Sequence, residues 1–234
     1  TKGMRLFVSG SAPLLRETYE RWSKITGHEI LERYGMTETN MNTTNPYVGE
    51  RRPGTVGFAL PGVELKVCNP VTGELLENGE VGILEVRGPN LFQGYWNMPE
   101  KTAEELRDNG FFITGDLGMI DADGYLHIVG REKDLIISGG LNIYPKEVET
   151  LIDDLDGVIE SAVVGVPHSD FGEAVIALVV SKTLRSSDVI DALVGNIAPY
   201  KQPKKVLIVE TLPRNTMGKV QKAELRSHYK DILL

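Results

Sequence analysis

The chain has 234 residues, 41% of them hydrophobic and 25% charged, which is enough to bury a core in one or two domains and matches the profile of ordinary globular proteins. Its 25 Lys and Arg against 33 Asp and Glu leave a formal net charge of −8, which argues against non-specific binding to nucleic acid or to an anionic membrane. The single cysteine, Cys68, excludes an internal disulfide and fits a reducing, cytoplasmic setting, and apolar runs such as Ala174 to Val180 are too short to span a bilayer.

In chain order, Met4 to Val8 reads as a buried strand entering the small-residue turn Ser9-Gly10-Ser11-Ala12-Pro13. Ser11 is placed to cap the next helix and Pro13 to sit in its first turn, with Leu15, Tyr19 and Trp22 on one face. Glu29 to Tyr34 is a second strand, and this strand–helix–strand order predicts the end of a parallel α/β sheet over residues 1–52. From 53 to 130, short apolar runs (Val63 to Val67, Val81 to Val86, Tyr125 to Val129) separated by Gly, Pro, Asn and Asp turns predict a small β-barrel or antiparallel sheet, with a short helix near Pro99 to Leu106. Over 131–234, strands at Asp134 to Ile137, Ser161 to Val166, Ala174 to Ser181 and Val206 to Val209 alternate with helices at Pro145 to Leu155 and Ser187 to Ala198, an α+β domain. Pro145 stands at a first helical position, and Val148, Leu151, Ile152 and Leu155 follow at helical spacing.

Four segments carry chemistry: YGMTE at Tyr34–Glu38, ITGD at Ile113–Asp116, GREKDLIISGGLNIYPKEVE at Gly130–Glu149, and PRNTMGKVQK at Pro213–Lys222. Each alone is short enough to arise by chance. In this order and spacing they resemble the adenylate-forming enzymes, which include acyl-CoA synthetases, luciferases and peptide-synthetase adenylation domains. The resemblance implies a large domain ending in a β-barrel and a mobile C-terminal lid domain joined at the GREKD segment. It also implies a Ser/Thr/Gly-rich loop for the terminal phosphates of ATP, and nothing in this chain reads as one. With no upstream partner for its first strand, the chain is expected to be the C-terminal portion of a longer enzyme, and inactive by itself.

The reaction implied is activation of a carboxylic acid by ATP to an acyl-adenylate, followed by transfer to the thiol of coenzyme A. Bringing a carboxylate against a phosphate requires positive charge at the contact. Lys219 matches the family's lysine for that role, although by itself it reads as a solvated surface lysine. Glu38 matches the Mg²⁺ ligand and Thr37 a hydrogen-bond donor to the α-phosphate. Tyr34, with Gly35 and Met36, matches the adenine motif, and Gly10-Ser11-Ala12-Pro13 resembles the loop lining the adenine and acyl pocket. Asp116 and Arg131 match the ribose contacts. Lys133 matches the hinge of the lid, and Gly139 and Gly140 the pantetheine tunnel, where a β-carbon would narrow the channel. Phe171 lies where relatives place an aromatic ring against the CoA adenine, and the basic run Lys201, Lys204, Lys205 is placed to meet CoA phosphates. His28, His127, His168 and His228 show no metal-ligand spacing.

Thr39 to Tyr47, TNMNTTNPY, resembles malonyl-CoA synthetases, as does the run from Leu212 to Lys222. Malonate would need a cationic partner for its second carboxylate, and no arginine here is assigned that role. Malonate is favoured. Other short-chain, branched or fatty acids stay open, and so does an isolated nucleotide- and CoA-binding module.

Overall fold

The computed structural model describes residues 1–10, 12–216 and 218–234. They divide into two compact units, Thr1–Glu132 and Lys133–Leu234.

The first unit opens with strand β1 (Phe7–Ser9), helix α1 (Arg16–Thr26) and strand β2 (Ile30–Met36), and β1 pairs with β2 in parallel, as the strand–helix–strand pattern predicts. Helix α1 turns Tyr19 into the core, and the Trp22 ring meets Phe7 edge-on at 4.8 Å. Its start differs from expectation. Leu15 precedes the helix with no side-chain cap, Pro13 lies outside it, and Ser11 lies outside the described residues. Gly27, at φ 72°, closes the helix by donating its N–H to the Ser23 carbonyl at 2.8 Å. Strands β3 (Asn40–Thr44) and β4 (Phe58–Ala59) extend the sheet in the order β1-β2-β3-β4, with antiparallel pairing beyond β2.

Strands β5 (Glu64–Cys68), β6 (Gly82–Arg87), β7 (Phe112–Ile120) and β8 (Leu126–Arg131) form an antiparallel sheet in sequence order, and helix α2 (Pro99–Glu105) lies between β6 and β7. Of the two expected forms, barrel or antiparallel sheet, the described residues form the open antiparallel sheet, and the barrel is corrected. Closure would require β8 to pair with β5, but the free edge of β8 is occupied by residues 56 and 57. Val56 donates to the Leu126 carbonyl and Leu126 to the Gly57 carbonyl, both at 2.8 Å.

Two carboxylates are buried in this unit. Glu85 on β6 is fully enclosed, with Lys66 Nζ 2.8 Å from one oxygen and Arg107 Nη2 2.6 Å from the other. Glu32 on β2 is 7% exposed and accepts the Gly54 N–H at 3.0 Å. Burial pushes the Glu32 carboxyl from 4.5 up to about 7, against the opposing pull of that N–H. The folded state therefore holds this proton more tightly than the unfolded chain. The resulting stabilisation is complete below 4.5 and is lost as pH rises through about 7. Glu32→Gln is expected to remove a decline of about 3 kcal/mol over that window. Melting curves of both proteins at matched pH values check this, and parallel pH profiles would overturn it.

The second unit is an α/β layered domain. Strands β9 (Ile136–Ser138), β10 (Leu141–Ile143), β11 (Val158–His168), β12 (Gly172–Ser181) and β13 (Lys205–Val209) form one sheet in the order β10-β9-β12-β11, with β13 parallel to β12. Alternation along β11 and β12 sorts their side chains onto two faces. Val163, Val175, Ala177 and Val179 pack with Val148 and Ile152 of helix α3 (Pro145–Asp153) and with Val189 and Leu193 of helix α4 (Ser186–Leu193). Ala162, Val164, Ile176 and Leu178 pack with Leu225 of helix α5 (Lys222–Tyr229) on the opposite face. Helix α4 stops at Leu193, short of the expected Ala198, because Val194 turns extended (φ −63°, ψ 124°) and Gly195 at φ 80° completes a tight turn, with the Asn196 N–H donating to the Leu193 carbonyl at 3.2 Å.

Candidate active site

In the first unit the Tyr34 hydroxyl donates to Asp116 Oδ2 at 2.5 Å, and Arg131 Nε stands 2.6 Å from Asp116 Oδ1. The strands dictate this grouping. Asp116 on β7 lies directly opposite Arg131 on β8, and Tyr34 reaches across from β2. Asp116 is 3% exposed, and its backbone N–H is held by Thr114 Oγ1 at 3.1 Å. Burial and then the neighbouring Asp116 carboxylate push the Tyr34 hydroxyl far above its ordinary value, so it stays a proton donor. Three of the expected nucleotide residues thus share one hydrogen-bonded set.

Thr37 and Glu38 occupy the turn between β2 and β3. That turn is tight enough to demand Gly35, since a Cβ there would fall 1.9 Å from the Asn40 carbonyl oxygen. The Glu38 carbonyl accepts the Phe92 N–H at 2.8 Å, and the Glu38 carboxylate oxygen Oε1 lies 3.2 Å from the Tyr95 hydroxyl. Among the described residues there is no cluster of three or more His, Cys, Asp or Glu that could hold a metal by itself. A single fixed hard-oxygen carboxylate is nonetheless what Mg²⁺ takes from a protein when nucleotide phosphates and water complete its shell. Gly10 and Ala12-Pro13 follow β1, and a Cβ on Gly10 would come within 2.8 Å of the Arg33 side chain. Packing against β2 is therefore a sufficient reason for that glycine.

In the second unit Lys133 lies in the short 3-10 turn Glu132–Asp134. Gly139 and Gly140 adopt φ 58° and 80°, and a Cβ on Gly140 would meet nothing within 4 Å. The left-handed backbone is what requires glycine there. The Gly139 N–H donates to the Phe171 carbonyl at 2.9 Å, and Lys204 Nζ lies 5.3 Å from the centre of the half-exposed Phe171 ring, so these three positions come together. Lys201 is engaged elsewhere, with Nζ 2.6 and 2.7 Å from the two carboxylate oxygens of Glu147.

Lys219 is exposed at the end of a closed hairpin. Asn215 donates its N–H to the Lys219 carbonyl at 3.0 Å, and Asn215 Oδ1 accepts the Lys219 N–H at 2.9 Å. Arg214 bridges to Val220 on the partner arm, donates to the Gly218 carbonyl and pairs with Glu160 of β11. Met217 lies outside the described residues. His127 pairs with Asp121 at 3.0 Å and accounts for one of the four histidines structurally. The residues missed from sequence are Tyr95, Lys101 and Glu105 beside Glu38, whose signal (a tyrosine ahead of a short Pro-started helix) was legible only as a helix start.

No helix among the described residues is long and apolar enough to cross a membrane. Residues 1–96 match the family described as AMP-binding enzyme, and residues 147–219 match the AMP-binding enzyme C-terminal domain. The chain is similar to the malonate–CoA ligase of Arabidopsis thaliana, 43% identical over 95% of this chain and 38% of that protein. It is similar also to the long-chain-fatty-acid–CoA ligase of Bacillus subtilis, 40% identical over 93% of this chain and 40% of that protein. Among solved structures, ATP-bound MatB from Rhodopseudomonas palustris superposes with a TM-score of 0.96 at 62% identity, over 99% of this chain and 46% of that one. The chain spans about two-fifths of the length of the curated relatives it matches. With two family segments in order along the sequence and a fold shared with a relative of 62% identity, the chain belongs to the adenylate-forming AMP-binding enzymes.

Proposed function

We propose that this chain is the C-terminal part of an AMP-forming acid–CoA ligase whose acid is malonate, working with a segment equivalent to the remainder of its relatives. The observation that carries the reading is the Tyr34–Asp116–Arg131 set beside the Thr37–Glu38 turn, a buried carboxylate held by two donors where a ribose needs acceptors. In the first half-reaction a carboxylate oxygen attacks the α-phosphorus of ATP, and the bond to pyrophosphate breaks. Lys219 sets its ammonium between the two anions, and Thr37 donates to an α-phosphate oxygen. Asp116 and Arg131 hold the ribose, Tyr34, Gly35 and Met36 flank the adenine, and Gly10, Ser11, Ala12 and Pro13 line the pocket. Glu38 would hold Mg²⁺, which when bound neutralises phosphate charge. In the second half-reaction the thiol sulfur of coenzyme A attacks the acyl carbon and the bond to AMP breaks. Phe171 and Lys204 would meet the CoA nucleotide, Gly139 and Gly140 the pantetheine arm, and Lys133 would be the hinge by which the residues after 131 change position between halves.

Malonate is favoured by the malonate–CoA ligase at 43% identity, and the fatty-acid ligase at 40% identity is the specific observation for a second reading. The cytoplasm suits the single buried thiol, Cys68. The test is CoA-dependent AMP release by the full-length protein with malonate, acetate, methylmalonate or a long-chain fatty acid. The expected result is release led by malonate. Release led by a fatty acid would keep the ligase and replace its substrate, and AMP binding with no release from any acid would reduce the chain to a binding module.

A further inference from the structure

We infer that Tyr95 is the positioning residue of the Glu38 carboxylate, and that Glu105 and Lys101 of α2 hold Tyr95 for that task. The inference rests on the reading of Glu38 as the carboxylate that holds the divalent cation.

The Tyr95 hydroxyl lies 3.2 Å from Glu38 Oε1 and 2.6 Å from Glu105 Oε2. One proton serves two carboxylates, and the shorter contact directs it mainly to Glu105. Glu105 is in turn paired with Lys101, whose Nζ stands 2.6 Å from its other oxygen. The charge of Glu105 is thereby offset within α2. No lysine or arginine among the described residues forms an ion pair with Glu38. The outcome is one ion-paired carboxylate that anchors a phenol, and one carboxylate without an ion pair that the phenol keeps in place. The phenol is an uncharged hydrogen-bond donor. A neutral donor restrains a carboxylate without cancelling the charge that a hard cation needs, and such outer hydrogen bonds set the affinity of a metal ligand.

Tyr95 is itself fixed from several directions. Its ring meets Phe92 edge-on at 4.8 Å, Phe92 in turn meets Phe112 edge-on at 5.3 Å, and the Tyr95 N–H donates to Thr102 Oγ1 at 2.9 Å. Phe92 also donates its N–H to the Glu38 carbonyl at 2.8 Å. One short stretch, 92–95, therefore grips Glu38 at both main chain and side chain.

The probe is Mn²⁺, titrated against the full-length protein with ATP present and followed by loss of the free ion's paramagnetic signal. Affinity for AMP without metal and the melting temperature are read alongside. Tyr95→Phe is expected to weaken Mn²⁺ binding roughly tenfold, with AMP affinity kept, and Glu105→Gln to weaken it by a smaller factor. Unchanged Mn²⁺ affinity in Tyr95→Phe, or an equal fall in AMP affinity, would overturn the inference. Glu38→Gln separates the two readings: if it leaves Mn²⁺ binding intact, the assignment of Glu38 itself fails. Should Tyr95→Phe not fold, Glu105→Gln decides, weaker binding supporting the inference and unchanged binding overturning it.

Discussion

Lys219→Ala is expected to lower acid-dependent pyrophosphate release by about 100- to 1,000-fold, the loss typical when one preorganised donor to a developing anion is removed. The expectation follows from the position of the side chain as much as from its charge. Lys219 is exposed and its ammonium is not needed to close the hairpin, which is held through the backbone, Asn215 Oδ1 and the Arg214–Glu160 ion pair. Truncation should therefore leave the melting temperature within the range of ordinary surface substitutions, about 0.5 kcal/mol in stability. Single-turnover assays of the full-length protein, with the melting curve as control, separate the two effects. Wild-type pyrophosphate release from the folded variant would remove Lys219 from the reaction.

The second large effect concerns stability. Glu85 is fully buried between Lys66 and Arg107, and both cations lie partly in solvent. Lys66→Met together with Arg107→Met would strand the Glu85 charge in the sheet interior, and the first unit is expected to lose about 3–5 kcal/mol. Adding Glu85→Leu to that pair should recover most of the loss, because an apolar group no longer needs a counter-charge. Chemical denaturation of the three proteins tests both steps. A triple variant no more stable than the double one would show that packing at these sites, rather than the stranded charge, sets the cost.

The second unit was legible in the sequence because its strands are long and apolar. Ser161–Val166 and Ala174–Ser181 leave no competing period, and Pro145 marks its helix start. Strand β3 was not legible. Its residues are Asn, Met, Asn, Thr and Thr, and the buried Asn42 and Thr43 carry no apolar alternation. Helix α5 escaped for a related reason, with Leu225 its one buried side chain. Strand β7 was hidden by its own motif, since Ile113–Asp116 stood out for its carboxylate and not for its place between β6 and β8. The site shows the same division. Tyr34, Asp116 and Arg131 come from short motifs read directly, whereas Tyr95 meets Glu38 across 57 residues of chain, a proximity that only the folded backbone creates.

The closed base of the Lys219 hairpin has an entropic consequence. An unstructured loop reaching for a substrate must freeze each of its residues on arrival, at about 1–2 kcal/mol apiece. Here Asn215 and Lys219 have already been joined by reciprocal hydrogen bonds, and the arms meet at Arg214 and Val220. Among the described residues of the hairpin, what remains to be ordered is chiefly the Lys219 side chain, about 2 kcal/mol of rotamer freedom. In the role proposed for Lys219, the hydrogen bonds among the described residues are made during folding, and little of the attraction between ammonium and anions would be consumed in ordering them.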